Sequence, residues 1–173
     1  DAQNLLYSAL QDPNPVLFFE HKKLYRSIRD ITTDNCVVEE LGKAKIRRRG
    51  KDASIITYGM GVHWAIEMAD KLADKGVELE VVDLRCLVPL DMETVKDSVA
   101  RTHKVLLLQE PSKTLGPMSE VSSLITEECF RELDAPVLRC SSLDMPIPFS
   151  VELEKGYLAN NRFEEKLEEL LNY

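Results

Sequence analysis

Between residues 53 and 140, short and almost unbroken apolar runs alternate with longer segments whose apolar positions recur every three or four residues. The runs Ala53-Ser-Ile-Ile-Thr-Tyr-Gly59, Leu79-Glu-Val-Val-Asp-Leu84, Lys104-Val-Leu-Leu-Leu108 and Pro136-Val-Leu-Arg-Cys140 predict strands buried on both faces. Residues 62–75 place Ile66, Ala69, Leu72 and Ala73 on one helical face, with Gly76 at the end. Residues 92–101 predict a second helix with Asp91 as its N-cap. Residues 119–133 and 163–171 predict two more, and residues 43–48 an edge strand with Ala44 and Ile46 alternating. Strands that alternate with helices need crossovers. The expected fold is α/β: a three-layer α/β/α sandwich around a mostly parallel, mixed sheet of about five strands.

The amino-terminal part does not fit this alternation. Leu5, Leu6, Ala9 and Leu10 predict a helix that Asp12-Pro-Asn-Pro15 stops, and Val16-Leu-Phe-Phe19 predicts a short buried strand. Residues 21–41 are broken and polar. One helix and one strand cannot complete a sheet, so residues 1–34 read as the tail of another domain plus a linker, and residues 35–173 as the α/β domain. With Asp1 in first place, the chain reads as a piece of a longer protein.

Charge narrows the function. Lys and Arg number 22 against 30 Asp and Glu, and a net charge of -8 argues against nucleic acid as a partner. The one basic run, Arg47-Arg48-Arg49, runs into Gly50-Lys51-Asp52 and reads as a solvated turn. No stretch approaches a membrane span and the opening residues carry no signal-peptide pattern. Cys36, Cys86, Cys129 and Cys140 form no C-x-x-C, and His21, His63 and His103 share no ligand spacing, so a zinc site is not expected. Three of the cysteines sit in apolar segments, as free thiols of a reducing compartment do.

Catalytic motifs are sparse. Tyr58-Gly-Met-Gly61 follows a strand and opens a helix, but it lacks the third glycine of a dinucleotide fingerprint. There is no G-x-S-x-G elbow, and His63 at a helix start beside Trp64 reads as a structural or interface histidine. Asp83 and Arg85, two apart on a strand, would share a face and form an ion pair. Glu110, at the end of the next strand, would reach the same sheet edge. That edge is either a site or a partner surface.

The blocks DAQNLLYSALQDPNPVLFFEHKKLYR, LGKAKIRRRGKDASIITYGMGVHWA, ELEVVDLRCLVPLD, ITEECFRELDAPVLRC, DMPIPF and LEELLNY, in this order, resemble the β subunit of the thiamine-diphosphate-dependent 2-oxoacid dehydrogenases, the pyruvate and branched-chain family. The match is to the last half: the end of the pyrimidine-binding domain, then a transketolase-type C-terminal domain. The resemblance implies oxidative decarboxylation of a 2-oxoacid with acyl transfer to lipoamide in the intact enzyme. It implies thiamine diphosphate and Mg²⁺ there, held by elements that this chain lacks, and no activity of the chain alone. It further implies a potassium ion with ligands at the Ala9 carbonyl, Asp12 and Asn14, and a substrate-side position for Glu20 and His21. Implied partners are the α subunit or α half, a second β copy and the dihydrolipoamide acyltransferase core, in a bacterial cytoplasm or mitochondrial matrix. In that setting Asp83, Arg85, Asp91 and Glu110 become interface residues. The chain departs from the family at Ser112-Lys-Thr-Leu-Gly-Pro-Met118, where relatives carry a glycine-rich loop. A free-standing α/β binding module, or the C-terminal domain of another transketolase-type enzyme, stays open as an alternative.

Overall fold

A computed structural model describes residues 1–29 and 36–173. Helix α1 (Ala2–Gln11) and the one-turn helix α2 (Leu24–Ser27) precede the α/β domain. The domain then runs β1 (Lys45–Arg48), β2 (Ala53–Thr57), α3 (Met60–Ala73), β3 (Leu79–Asp83), α4 (Met92–Thr102) and β4 (Val105–Ser112). It closes with α5 (Pro117–Cys129), a 3-10 turn (Phe130–Glu132), β5 (Leu138–Ser142), α6 (Val151–Tyr157) and α7 (Asn160–Leu171). The sheet order is β1-β3-β2-β4-β5. All pairs are parallel except β1 with β3, which is antiparallel and bulged between Ile46 and Arg48.

Two cores cover the two sheet faces, which is why β2 and β3 are buried at every position. On one face Trp64, Ala65, Ala69 and Leu72 of α3 and Phe163, Leu167 and Leu170 of α7 pack on Ile55, Val81, Leu106 and Cys140. On the other, Val95 and Val99 of α4 and Met118, Val121 and Ile125 of α5 pack on Ile56, Val82 and Leu107. The mixed three-layer sandwich is the one the alternation predicts.

Three local expectations change. Residues 16–19 belong to no strand among the described residues, and Leu17 and Phe19 stand exposed. The third long helix starts at Pro117, not Ser119, because proline supplies the helical φ at the first position without losing a needed N–H. Gly116 before it is required: a Cβ there would lie 2.1 Å from Gln109 Nε2 and 2.6 Å from the Ser112 carbonyl. Buried Gln109 laces this loop, donating to the Ser112 carbonyl at 2.6 Å and accepting from the Met118 N–H at 3.0 Å. Finally, the Arg47–Arg49 run is solvent-facing as expected but is not all turn: Arg47 and Arg48 lie in β1, and each arginine has an acidic partner. Arg47 pairs with Asp83, Arg48 with Asp70 and Arg49 with Glu80.

Candidate partner edge at the carboxyl ends of the strands

Strand β2 crosses over to β3 on one side through α3, and β4 to β5 on the other through α5. The chain direction therefore switches between β2 and β4, and the crevice outside their carboxyl ends is where open α/β sheets hold ligands. Tyr58 follows β2 there and Glu110 lies in β4. The chain's own amino-terminal segment reaches this edge: His21 Nε2 lies 2.7 Å from Glu110 Oε2 across 89 positions of sequence, and His21 Nδ1 is buried without a partner among the described residues. Burial, with the Glu110 charge adding to it, pushes the Tyr58 phenol up to about 12.

The other predicted edge charges are engaged in the same way. Asp83 does not pair with the Arg85 side chain as expected, because Arg85 leaves the strand with φ +56° and turns away. Only its backbone N–H reaches Asp83 Oδ1, at 3.1 Å. Asp83 instead accepts from Arg47 at 2.6 and 3.0 Å, and Arg47 also meets Asp1. Arg85, nearly buried, pairs with Glu39 and donates from Nε to the Lys43 carbonyl at 2.9 Å. Glu39 in turn accepts from Asn4 Nδ2 at 3.2 Å, and its N–H donates to Ser8 Oγ at 2.8 Å, which ties α1 to the edge. Burial raises the Glu39 carboxyl, but Arg85 and Asn4 outweigh it and hold the group below the usual carboxylate range. Asp83, Arg85, Asp91 and Glu110 thus all bind residues between 21 and 47. Sequence reasoning missed the partners Glu39 and Arg47, which stand 46 and 36 positions from their mates.

Asp91 joins two elements at once, capping α4 and holding the backbone before β1. Its Oδ1 accepts from the Thr94 N–H at 3.2 Å, and its Oδ2 from the Thr94 hydroxyl at 2.8 Å and the Ala44 N–H at 2.9 Å. Burial pushes its carboxyl up, but these bonds and Lys43 hold it below the ordinary value. A folded pKa below the unfolded one stabilises the fold above the unfolded pKa, about 3.9, and the contribution disappears as pH falls through the folded value. Asp91→Ala should therefore cost about 2 kcal/mol at pH 7 in urea unfolding. The gap to the parent chain should shrink at pH 3; an undiminished gap would contradict this account.

The remaining candidates lie elsewhere. Glu20 is exposed and accepts from the Tyr25 hydroxyl, a bond that leads in raising that phenol. Asp12 Oδ1 accepts from the Asn14 N–H at 2.8 Å and from its side-chain amide at 3.0 Å, in a turn at the end of α1 that leaves Asp12 Oδ2 and Asn14 Oδ1 outside these bonds. With the Ala9 carbonyl these are three oxygens, fewer than the roughly six that a hard cation takes. The Tyr58–Gly61 turn holds one of its two glycines for packing inside the chain. A Cβ on Gly61 would lie 2.1 Å from Thr57 Oγ1, so the close approach that glycine permits is used inside the chain. Among the described residues no group of three or more His, Cys, Asp or Glu could hold a metal, and no helix is long and apolar enough to cross a membrane.

A doubly wound α/β domain whose switch-point edge is bridged by its own amino-terminal segment, through His21 and Glu110, is the class that fold and edge define. The chain belongs to the transketolase C-terminal domain family, which residues 42–162 match. It is 41% identical over 175 residues to the 2-oxoisovalerate dehydrogenase subunit beta of Bacillus subtilis (strain 168), covering 100% of this chain and 54% of that subunit. It is 43% identical over 162 residues to the pyruvate dehydrogenase E1 component subunit beta of the same organism, covering 94% and 50%. A split-gene transketolase solved as an inactive beta4 tetramer superposes with a TM-score of 0.68 at 25% identity, over 84% of this chain and 46% of that one. The chain spans about half the length of the curated relatives it matches.

Proposed function

We propose that this chain is the carboxyl-terminal part of the β subunit of a thiamine-dependent 2-oxoacid dehydrogenase, serving assembly and not chemistry. The observation that carries the reading is the occupied edge. Asp83, Arg85, Asp91 and Glu110, the charges best placed to meet a ligand, all hold the chain's own residues 21–47. In this reading residues 1–34 are the tail of a pyrimidine-binding domain, and the boundary to the α/β domain falls outside the described residues. The partners are an α subunit or α half, a second β copy and the acyltransferase core, in the cytoplasm or mitochondrial matrix. The parent enzyme would decarboxylate a 2-oxoacid with thiamine diphosphate and Mg²⁺, the cofactor supplying the electron sink. Glu20 and His21 are proposed to face the substrate side, and any potassium at Ala9, Asp12 and Asn14 would need ligands from elsewhere.

Calorimetric titration of the chain with thiamine diphosphate and Mg²⁺ tests this. The expected result is no saturable heat. Saturable one-site binding would reveal a diphosphate cradle in this chain and sink the assembly reading.

A further inference from the structure

The segment carrying His21 has a second face. Two anchors fix it: His21 on Glu110, and Leu24 packed against the α3/α7 core. Held this way, Lys22, Lys23, Arg26 and Arg29 point outward with Tyr25, all exposed. None of the four cations forms an ion pair among the described residues, whereas each arginine of Arg47–Arg49 does. Four unneutralised positive charges within eight positions stand out on a chain of net charge -8. Lys22, Lys23, Tyr25 and Arg26 line an open hollow of about 680 Å³.

We propose that residues 22–29 form a docking strip for an acidic polypeptide segment of a partner protein. The proposal goes beyond the thiamine-enzyme reading and stands without it. Charge complementarity selects the partner: carboxylates at successive positions can meet successive cations, while Tyr25, its hydroxyl already donating to Glu20, offers an apolar face. The hollow is too open to bury most of a small ligand's surface, as small-molecule sites do. Duplex nucleic acid is disfavoured because about six to ten phosphate contacts are usual, and the rest of the surface is acidic.

The test is fluorescence anisotropy of a labelled peptide with six consecutive glutamates against the 173-residue chain at low salt. Two variants are compared: Lys22→Gln/Lys23→Gln/Arg26→Gln, and Lys75→Gln/Lys113→Gln/Arg131→Gln, which removes the same charge from unpaired cations elsewhere. Circular dichroism melts check that both stay folded. The strip variant should bind about tenfold more weakly, since each exposed pair is worth roughly a factor of two, and the second variant should stay within twofold of the parent. Equal losses in both variants would reduce the effect to net charge and overturn the proposal. So would absence of saturable binding, or displacement of the peptide by duplex DNA or inorganic phosphate at lower concentration than by unlabelled peptide.

Discussion

Gly50→Ala is expected to cost about 3 kcal/mol or more, a large part of the stability of a domain this size. Gly50 lies in the turn between β1 and β2, where Lys51 and Asp52 donate their N–H groups to the Glu78 carbonyl at 2.9 and 3.0 Å. A Cβ at position 50 would lie 2.2 Å from Leu79 C, 2.3 Å from Glu80 N and 2.5 Å from the Glu78 carbonyl oxygen. All three are backbone atoms of a neighbouring segment, so no side chain can swing aside. Relief requires the turn to move off β3, and β1 moves with it. The β1–β3 ladder and the Arg47–Asp83 bond would then weaken together. Gly156→Ala is the control: its Cβ would meet nothing within 4 Å, and α6 should gain slightly from the better helix former. Urea unfolding of both variants reads the difference. A midpoint for Gly50→Ala as high as that for Gly156→Ala would show that the turn yields at little cost.

Removing both Arg49 and Arg101 should be comparably severe. Glu80 is the second residue of β3 and is wholly buried. Its Oε1 accepts from Arg101 Nη1 at 2.6 Å, and Arg49 Nη1 lies 3.5 Å from Oε2, which has no hydrogen bond. A buried carboxylate stripped of its partners costs about 3–5 kcal/mol. The double variant Arg49→Met/Arg101→Met should approach that figure, with Arg101→Met alone carrying most of it because Arg49 is the more exposed and more distant partner. Adding Glu80→Gln should recover part of the loss, since the neutral amide no longer needs a cation. If the triple variant is no more stable than the double one, the loss came from packing of the arginine stems and not from the stranded charge.

The sandwich was legible because its signals are local. The strand runs are nearly all apolar, and Ile66, Ala69 and Leu72 recur at helical spacing where α3 forms, although Ala73, expected on the same face, is exposed at the helix end. Asp91 is the N-cap that its position before a helical pattern implies. Helix α6 escaped notice because it buries only Tyr157, leaving Val151 and Leu153 exposed and no apolar stripe to read. The run at residues 16–19 misled for the opposite reason: four apolar residues mark a strand only if another strand lies alongside, and pairing is not a property of the run itself. The candidate edge was half legible. Asp83, Arg85, Asp91 and Glu110 were found from strand ends and capping, but their partners Arg47, Glu39, Ala44 and His21 lie 36 to 89 positions away. Such distances are set by topology, and the left-handed backbone at Arg85 that redirects its side chain leaves no mark in composition.

Strand β1 closes one margin of the sheet with only four residues, three of them Lys45, Arg47 and Arg48, and a bulge that twists its pairing. A rim so short, charged and bent makes a poor template for a foreign strand, since every added chain would have to leave those cations beside its own backbone. Copies of this domain that meet on that flank should therefore come together through side chains and loops, with no ladder running from one molecule into the next.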